Sequence, residues 1–246
     1  MRWLTARPIA HRGFHNIEFG RVENTPDALE AAIDHNYTIE IDVQLTHDDN
    51  AVTFHDFTLD RLTHSTGRLR DKTLFQLRDV AYRASNNGIE SLAETLKRID
   101  GRVPVIIELK SNENEEEFLA NQVVKCVSNY NGEVALMSFN PKTVTLLKSL
   151  IEKPIPVGIV SCAFTNPAKP MPWYKRKYLQ YLLHWPRSRP DFISYAVKDF
   201  PSFMPWVARL AGIPVICWTV RSAADREIAY RYADQVTFEG YDPSSI

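Results

Sequence analysis

Short apolar runs alternate with helix-like stretches along most of this 246-residue chain, and this order limits the possible folds more than any other feature. Strands separated by crossover helices form parallel sheets, which predicts an α/β protein. Because a (β/α)8 TIM barrel typically needs about 250 residues, we expect eight such strands to close into this barrel. The predicted strands span residues 8–11, 38–43, 104–109, 133–138, 155–160, 191–195, 214–219 and 235–238. The predicted helices span residues 25–36, 91–99, 113–128, 141–150, 172–185, 202–211 and 222–232.

One further strand-like run, residues 51–55, interrupts this alternation. It follows the second predicted strand after a short polar link, whereas a parallel crossover needs about a dozen residues. We therefore expect it to return antiparallel, as a hairpin above the barrel. The polar stretch after it predicts a small insertion, so we interpret residues 1–246 as a single domain with an insertion at about residues 45–90.

Three carboxylates occupy related positions near the ends of predicted strands. Glu40 and Asp42 are two residues apart, so they point to one face of their strand, and the flanking Ile39 and Ile41 point to the other. Glu108 has a similar position on the next parallel strand, and all three should face the C-terminal mouth of the barrel. Uncompensated buried acids are costly, so this cluster predicts one divalent cation. Oxygen ligands without cysteine favour Mg²⁺ or Ca²⁺.

Two histidines and two cationic side chains are expected at the same mouth. His11 ends the first predicted strand and His55 ends the extra run, and paired histidines can share general-acid and general-base work. A divalent ion does not fully neutralise three carboxylates. The positive charges of Arg12 and Lys110 would outweigh the remaining negative charge and allow a phosphate monoanion to bind. This combination favours phosphodiester cleavage over acyl or hydride transfer. The structural alternative is an internal salt-bridge network in which Arg12 and Lys110 only neutralise the acids.

Short motifs occur in a fixed order from residue 9 to about residue 220. They are Ile9-Ala10-His11-Arg12-Gly13, Glu23-Asn24-Thr25, Glu40-Ile41-Asp42-Val43-Gln44-Leu45-Thr46, His55-Asp56, Thr58-Leu59-Asp60-Arg61, Glu108-Leu109-Lys110, Ser138-Phe139 and Trp218-Thr219-Val220. Each motif alone is a weak signal, but the ordered set resembles the glycerophosphodiester phosphodiesterase family. The resemblance implies a (β/α)8 barrel with a small insertion after the second strand. It also implies hydrolysis of glycerophosphodiesters to glycerol 3-phosphate and an alcohol.

The resemblance also implies roles for individual residues. It makes Glu40, Asp42 and Glu108 the ligands of a divalent metal. It makes His11 and His55 the acid–base pair, and Arg12 and Lys110 the residues that bind phosphate. Glu23 would lie near the metal or a substrate hydroxyl, with a structural role beside the first helix as its alternative. Trp218 would form a wall of the substrate pocket, with core packing as its alternative.

The last predicted strand departs from the family pattern. Many members have a Thr-Asp-x-Pro segment there, whereas this chain reads Thr237-Phe238-Glu239-Gly240-Tyr241-Asp242-Pro243. The change affects the rim of the pocket, and therefore the choice of substrate rather than the reaction. A lysophospholipid-cleaving phosphodiesterase, a lyase that stops at a cyclic phosphate and a non-catalytic binding barrel are the competing hypotheses.

Residues 173–185 combine aromatic and basic side chains, and Lys169, Arg187 and Arg189 flank them. This composition predicts a weak contact with a membrane surface. The alternative is an amphipathic barrel helix whose apolar face packs on the strands.

Net charge and targeting signals indicate where the protein is located and which partners it binds. The net charge of −1 provides no general attraction to nucleic acid. The N-terminal residues lack the apolar core of a signal peptide, and no apolar run approaches the roughly 20 residues of a membrane span. We therefore expect a cytoplasmic protein with a small-molecule phosphodiester substrate and no nucleic-acid partner.

Overall fold

A closed barrel of parallel strands forms the centre of the computed structural model, which describes residues 1–85, 87–112, 114–167 and 170–245. The strands in chain order are β1 (Ile9–Ala10), β2 (Thr38–Leu45), β3 (Ala51–Thr53), β4 (Val105–Leu109), β5 (Val134–Ser138), β6 (Val157–Ser161), β7 (Phe192–Ala196), β8 (Val215–Val220) and β9 (Gln235–Phe238). All except β3 pair in parallel, and β1 pairs with both β2 and β9, which closes the barrel. The predicted TIM barrel is confirmed.

Helices connect the strands as crossovers. In chain order they are α1 (Pro26–Asp34), α2 (Leu74–Arg78), α3 (Leu92–Ile99), α4 (Glu116–Ser128), α5 (Pro141–Leu150), α6 (Trp173–Gln180), α7 (Trp185–Ser188), α8 (Phe203–Leu210) and α9 (Ala223–Tyr232). Short 3₁₀ helices span Arg2–Thr5, Ile17–Phe19, Leu69–Asp71, Val197–Asp199 and Pro243–Ser245. Within the described part of the chain, every helix is too short or too polar to cross a bilayer.

The prediction of one continuous helix over residues 172–185 is wrong. The chain forms α6 and α7 there, and Leu182 between them has a φ of 50°. A left-handed residue other than glycine is unfavourable and interrupts a helix. Leu182 is only 1% exposed, so burial of its side chain offsets this cost. Lys169, which we expected to flank this region, and Glu113, the predicted first residue of α4, lie outside the described residues.

The extra strand forms the expected hairpin. Strand β3 pairs antiparallel with β2, with Val43 opposite Thr53 and Leu45 opposite Ala51. The segment between β3 and α3 contains α2, which the sequence analysis did not predict, and has an apolar cluster of its own. The fully buried members of that cluster are Val52, Phe54, Leu59, Leu69 and Leu77. This packing holds the chain that follows β3, including His55, above the barrel.

The barrel strands have two apolar faces with different partners. Ile39, Ile41 and Ile107 belong to the large cluster between the strands and the helices, whereas Ile106 belongs to a smaller cluster inside the barrel. Side chains two residues apart on a strand share a face. Glu108 therefore points into the barrel like Ile106, as the sequence predicted.

Candidate active site

Three carboxylates converge inside the barrel from two adjacent strands. Asp42 of β2 lies opposite Glu108 of β4 in the parallel register, and Glu40 precedes Asp42 on the same face. One oxygen from each side chain lies within 4.8 Å of the others. Glu40 and Asp42 are each 1% exposed and Glu108 is 7% exposed, so their carboxylates have lost most of their hydration. The structure thus brings together the three acids that the sequence singled out.

This acid cluster has the donor set of a hard-cation site. Burial first, and then the charges of Asp42 and Glu108, raise the pKa of Glu40 well above its ordinary value. Burial would also raise the pKa of Asp42, but Lys110 and Arg12 outweigh it and hold that pKa at about 2. The Oε1 atom of Glu40 is buried and has no hydrogen-bond partner among the described residues. An all-oxygen cluster with an unpaired oxygen fits Mg²⁺ or Ca²⁺.

Two cationic side chains form ion pairs with the acids. Arg12 Nε lies 3.2 Å from Asp42 Oδ2, and Lys110 Nζ lies 2.8 Å from Glu108 Oε1. The internal salt-bridge network that we considered as an alternative is therefore present in part. In the described part of the chain, neither cationic side chain forms an ion pair with Glu40, so this acid is compensated less than Asp42 and Glu108.

The wider ion-pair network also carries an excess of negative charge. With the histidines counted as neutral, its carboxylates outnumber its Lys and Arg side chains by two, which is the charge of one divalent cation. The acids are Glu23, Glu40, Asp42, Asp56, Glu108 and Glu239, and the bases are Arg12, Arg61, Lys110 and Arg221.

A left-handed turn at the end of β1 directs Arg12 toward the acids. Arg12 and Gly13 have φ values of 57° and 80°, and the Arg12 backbone N–H donates to Glu40 Oε2 at 3.1 Å. A Cβ atom at residue 13 would lie 2.9 Å from the backbone of Ala28 in α1. Glycine is therefore required after Arg12, which explains the Arg-Gly pair physically.

His11 lies at the mouth of the barrel, against the acid cluster. Its Nδ1 atom lies 2.8 Å from Glu239 Oε2, and its Nε2 atom lies 3.9 Å from Glu40 Oε2. Burial lowers the pKa of His11, although the hydrogen bond to Glu239 opposes this effect. Glu239 in turn accepts a hydrogen bond from Arg221 Nη2 at 2.7 Å. A carboxylate on Nδ1 favours the tautomer that carries its proton there, which leaves Nε2 facing the acids.

His55 has a matching arrangement of partners. Its Nδ1 atom lies 2.6 Å from Asp56 Oδ1, and Arg61 Nε donates to Asp56 Oδ2 at 2.5 Å. Arg61 also donates to Glu23, which accepts from Arg12, so His55 belongs to the same network of ion pairs as the acid cluster. Both predicted histidines therefore join this network, and each has a carboxylate partner and an arginine behind that carboxylate.

Glu23 connects two arginines beside the site. It is 8% exposed and accepts hydrogen bonds from Arg12 Nη1 at 2.7 Å and from Arg61 Nη2 at 2.7 Å. These bonds hold both guanidinium groups in place, a role that the sequence did not predict. Contact of Glu23 with a metal or a substrate hydroxyl stays a prediction.

Trp218 lies on the inward face of β8 and is half-buried. Its indole N–H donates to the Ser194 carbonyl at 3.2 Å, and its ring packs edge-on against Phe139 at 5.5 Å between centroids. The other side of this aromatic pair lies near Lys110, whose Nζ is 6.0 Å from the Phe139 centroid. Core packing is therefore observed, and the role as a pocket wall stays a prediction.

Several residues of the site have no role predicted from the sequence, among them Asn24, Arg61 and Glu239, as well as Asp56 and Arg221. Asn24 Nδ2 donates to Asp42 Oδ2 at 3.0 Å, Arg61 bridges Asp56 and Glu23, and Glu239 binds His11. Glu239 directly follows the last barrel strand, and that position was the available signal for an active-site acid. Asn24 and Arg61 occur within the matched motifs, but no spacing rule connects a loop residue to a partner on a distant strand.

A groove of about 630 Å³ opens beside the site. Glu23, Arg61 and Glu239 lie both on its wall and in the ion-pair network of the site. Its apolar lining comes from Phe14, Ile17, Phe19, Val22, Leu62 and Tyr241. The volume is within the range of small-molecule sites in proteins.

Comparisons with known proteins identify the family of the chain. The sequence model of the glycerophosphoryl diester phosphodiesterase family matches residues 11–237. A glycerophosphodiester phosphodiesterase of Caldanaerobacter subterraneus subsp. tengcongensis is 27% identical over 212 residues, which cover 80% of this chain and 84% of the relative. The human glycerophosphodiester phosphodiesterase 1 is 26% identical over 245 residues, which cover 87% of this chain and 71% of the relative.

Solved structures share the barrel. A phosphodiesterase of Oleispira antarctica, solved in complex with the product sn-glycerol-3-phosphate, has a TM-score of 0.76 at 23% identity, over 94% of this chain and 91% of the other. A glycerophosphodiester phosphodiesterase of Thermotoga maritima has a TM-score of 0.71 at 20% identity, over 94% and 92% of the two chains. At these identities the structural likeness concerns the fold, and the family assignment comes from the sequence match. The chain belongs to the glycerophosphoryl diester phosphodiesterase family.

Proposed function

We propose that this protein hydrolyses glycerophosphodiesters to glycerol 3-phosphate and an alcohol. The observation that carries the proposal is the buried acid cluster, with its unpaired Glu40 oxygen, beside two carboxylate-bound histidines. Family membership supports the same reaction, and the Oleispira antarctica relative was solved with sn-glycerol-3-phosphate as its product.

Glu40, Asp42 and Glu108 would hold one divalent cation, Mg²⁺ or Ca²⁺. When bound, such a cation supplies charge neutralisation at a phosphate oxygen and makes a nearby hydroxyl more acidic. Arg12 and Lys110 lie beside this cluster, paired with Asp42 and Glu108. The two cationic side chains would bind phosphate oxygens through charge-assisted hydrogen bonds.

His11 and His55 divide the two proton transfers. Each ring has its Nδ1 on a carboxylate, so each Nε2 is left to exchange a proton with the substrate. One histidine removes a proton from the attacking hydroxyl, which belongs either to water or to the neighbouring carbon of the glycerol. A new oxygen–phosphorus bond forms as the phosphorus–oxygen bond to the alcohol breaks, and the other histidine protonates the departing oxygen. Attack by water gives glycerol 3-phosphate directly, whereas attack by the glycerol hydroxyl gives a cyclic phosphate that water then opens to glycerol 3-phosphate.

Glu23 and Trp218 support the substrate. Glu23 keeps Arg12 and Arg61 in place, and Trp218 forms one wall of the pocket above Phe139. The groove, whose wall includes Glu23, Arg61 and Glu239, would hold the part of the substrate that extends beyond the phosphate.

A substrate panel with coupled detection of glycerol 3-phosphate tests the proposal. The purified protein would be treated with EDTA and assayed with glycerophosphocholine, glycerophosphoethanolamine, glycerophosphoinositol and lysophosphatidylcholine, each with Mg²⁺ or Ca²⁺ restored. We expect product with at least one glycerophosphodiester and one metal, and none in EDTA. His11→Ala and His55→Ala should each lower kcat by about 10²- to 10⁴-fold.

The exposed His64 is the matched control for the two histidine variants, and His64→Ala should keep wild-type turnover. Phosphorus NMR of the product distinguishes a hydrolysed monoester from a cyclic phosphate. Full activity of both His11→Ala and His55→Ala, or no product with any substrate and metal, would contradict the proposal.

A further inference from the structure

The segment that contains α6 and α7 has a one-sided charge. Residues 170–190 contain five Lys or Arg side chains and no Asp or Glu, although the whole chain has a net charge of −1. The five are Lys175, Arg176, Lys177, Arg187 and Arg189. Within the described residues, none of them forms an ion pair. The segment is therefore a local positive surface on a nearly neutral protein.

The large apolar side chains of this segment face outward. Trp173 is 73% exposed, Tyr174 is 64% exposed and Leu183 is 61% exposed. Tyr178 and Tyr181 are each 39% exposed. A soluble helix normally buries such residues, so their exposure marks an interaction surface.

Two leucines and the partly buried Trp185, rather than the aromatic residues of α6, attach this segment to the barrel. Leu179 is 9% exposed and Leu182 is 1% exposed, and the Leu179 carbonyl accepts a hydrogen bond from Ser161 Oγ of β6 at 3.3 Å. Leu179 is the only buried residue of α6 among the described side chains. The alternative from the sequence, in which the apolar face packs on the strands, therefore holds for Leu179 and Leu182 but not for Trp173 and Tyr174.

We propose that this surface binds the face of an anionic lipid bilayer. We call it the basic aromatic surface and define it as Trp173, Tyr174, Lys175, Arg176, Lys177, Tyr178, Tyr181, Leu183 and Arg187. Aromatic rings enter the headgroup boundary while Lys and Arg attract anionic headgroups, and a helix of this kind lies in the plane of the interface. The 8-residue α6 suits that placement. The proposal does not depend on the reaction catalysed.

Nucleic acid is the other polyanion that basic and aromatic side chains bind. Lipid is favoured here because Leu183 is exposed on the same surface, and a leucine offers apolar area but no ring for base stacking. The Tyr181 ring is also less available for base stacking, because Lys177 Nζ lies 5.0 Å from its centroid and covers part of the ring.

Flotation of the full-length protein with lipid vesicles tests the proposal. One set of vesicles would contain phosphatidylcholine alone and the other phosphatidylcholine with phosphatidylglycerol. We expect co-flotation with the anionic vesicles only, and weaker binding as salt screens the charges. Absence of binding to the anionic vesicles at low salt would overturn the proposal.

Two double variants separate charge from apolar contact. Lys175→Glu with Lys177→Glu should weaken vesicle binding by about tenfold or more, and Trp173→Ser with Tyr174→Ser should also weaken it. The matched controls are exposed residues on other helices, Lys125→Glu with Lys142→Glu and Tyr230→Ser, and they should bind like wild type.

Thermal unfolding of every variant checks that the fold is intact. If the control variants lost as much vesicle binding as the two double variants, the result would show a general charge effect and overturn the proposal. Tighter binding of single-stranded RNA than of anionic vesicles, with loss in the same two double variants, would overturn it in favour of nucleic acid.

Discussion

Each histidine of the site is held by a carboxylate that is itself held by an arginine. His11 pairs with Glu239 and Arg221, and His55 pairs with Asp56 and Arg61. Such a chain orients the ring and fixes the tautomer, because the carboxylate accepts the Nδ1 proton. The arginine keeps the carboxylate ionised, and together with the His11 hydrogen bond it outweighs burial and lowers the pKa of Glu239. In the proposed mechanism Glu239 is therefore a positioning residue, since it would act through His11.

Replacement of Glu239 tests this role at the level of one residue. Glu239→Gln should lower kcat by about 10²-fold with little change in KM, because the His11 ring loses its fixed tautomer while substrate binding is kept. Glu239→Asp should restore part of kcat, since it keeps the charge on a shorter side chain. The exposed Glu227→Gln in α9 is the control. A change in KM alone, or no rescue by aspartate, would contradict the positioning role.

At the level of elements, the parallel register of β2 and β4 assembles the acid cluster. Asp42 stands opposite Glu108 because Ile39 pairs with Val105, and the alternation of side chains then sends Glu40, Asp42 and Glu108 to one face. Alternation along a strand is visible in a sequence, so these acids could be predicted. The register between strands is not visible in a sequence. It was inferred only from the rule that barrel sites lie at the strand ends.

The α6–α7 junction contains a buried histidine with consequences for stability. His184 is 2% exposed, its Nδ1 lies 2.7 Å from Ser188 Oγ, and burial lowers its pKa to about 4. In the unfolded chain its pKa returns to about 6.5. Between these values the unfolded state binds the proton, so stability is complete above about pH 6.5 and falls as the pH decreases toward 4.

We therefore expect His184 to contribute to acid sensitivity. Urea unfolding at about pH 7.5 and about pH 5 should show a smaller pH-dependent loss of unfolding free energy in His184→Gln than in wild type. The difference should be roughly 1 to 2 kcal/mol, given about 1.4 kcal/mol per pKa unit. The exposed His47→Gln is the control and should keep the wild-type pH dependence. An unchanged pH dependence in His184→Gln would contradict this prediction.

At the scale of the whole molecule, the barrel is apolar inside and acidic at its mouth. Leu4, Ile9, Ile106, Phe192 and Ile216 fill the interior and are fully buried. The residues that follow on the same strands, such as Glu108 and Trp218, lie toward the site. The apolar interior supports the acid cluster and keeps water away from it on one side, which strengthens its interactions with a cation.

Gly158 of β6 tests the close packing of this interior. A Cβ atom at residue 158 would overlap the ring of Phe192 on the neighbouring strand β7. Gly158→Ala should therefore lower the free energy of unfolding by about 1 to 3 kcal/mol. Gly158→Ala with Phe192→Leu should lose less than the sum of the two single variants, because the smaller side chain relieves the overlap. Additive losses in urea unfolding would contradict the proposed contact.

The sequence predicted the order of strands and helices better than the positions where a helix is interrupted. Strand and helix positions follow from local patterns, and they agree with the structure within a few residues for elements such as α5 and β9. The break at Leu182 depends on burial of a left-handed residue, which no local pattern reveals. The contact between Glu239 and His11 likewise joins residues 228 positions apart, and closure of the barrel creates it.

The central claim is that Glu40, Asp42 and Glu108 share one divalent cation. Isothermal titration calorimetry of the EDTA-treated protein with Mg²⁺ and with Ca²⁺ measures this directly. The account predicts saturable binding of about one ion per chain in the acid cluster, and loss of that binding in Glu40→Gln, with a fold that stays intact by circular dichroism. Wild-type protein that binds neither ion, or Glu40→Gln that binds like wild type, would contradict it.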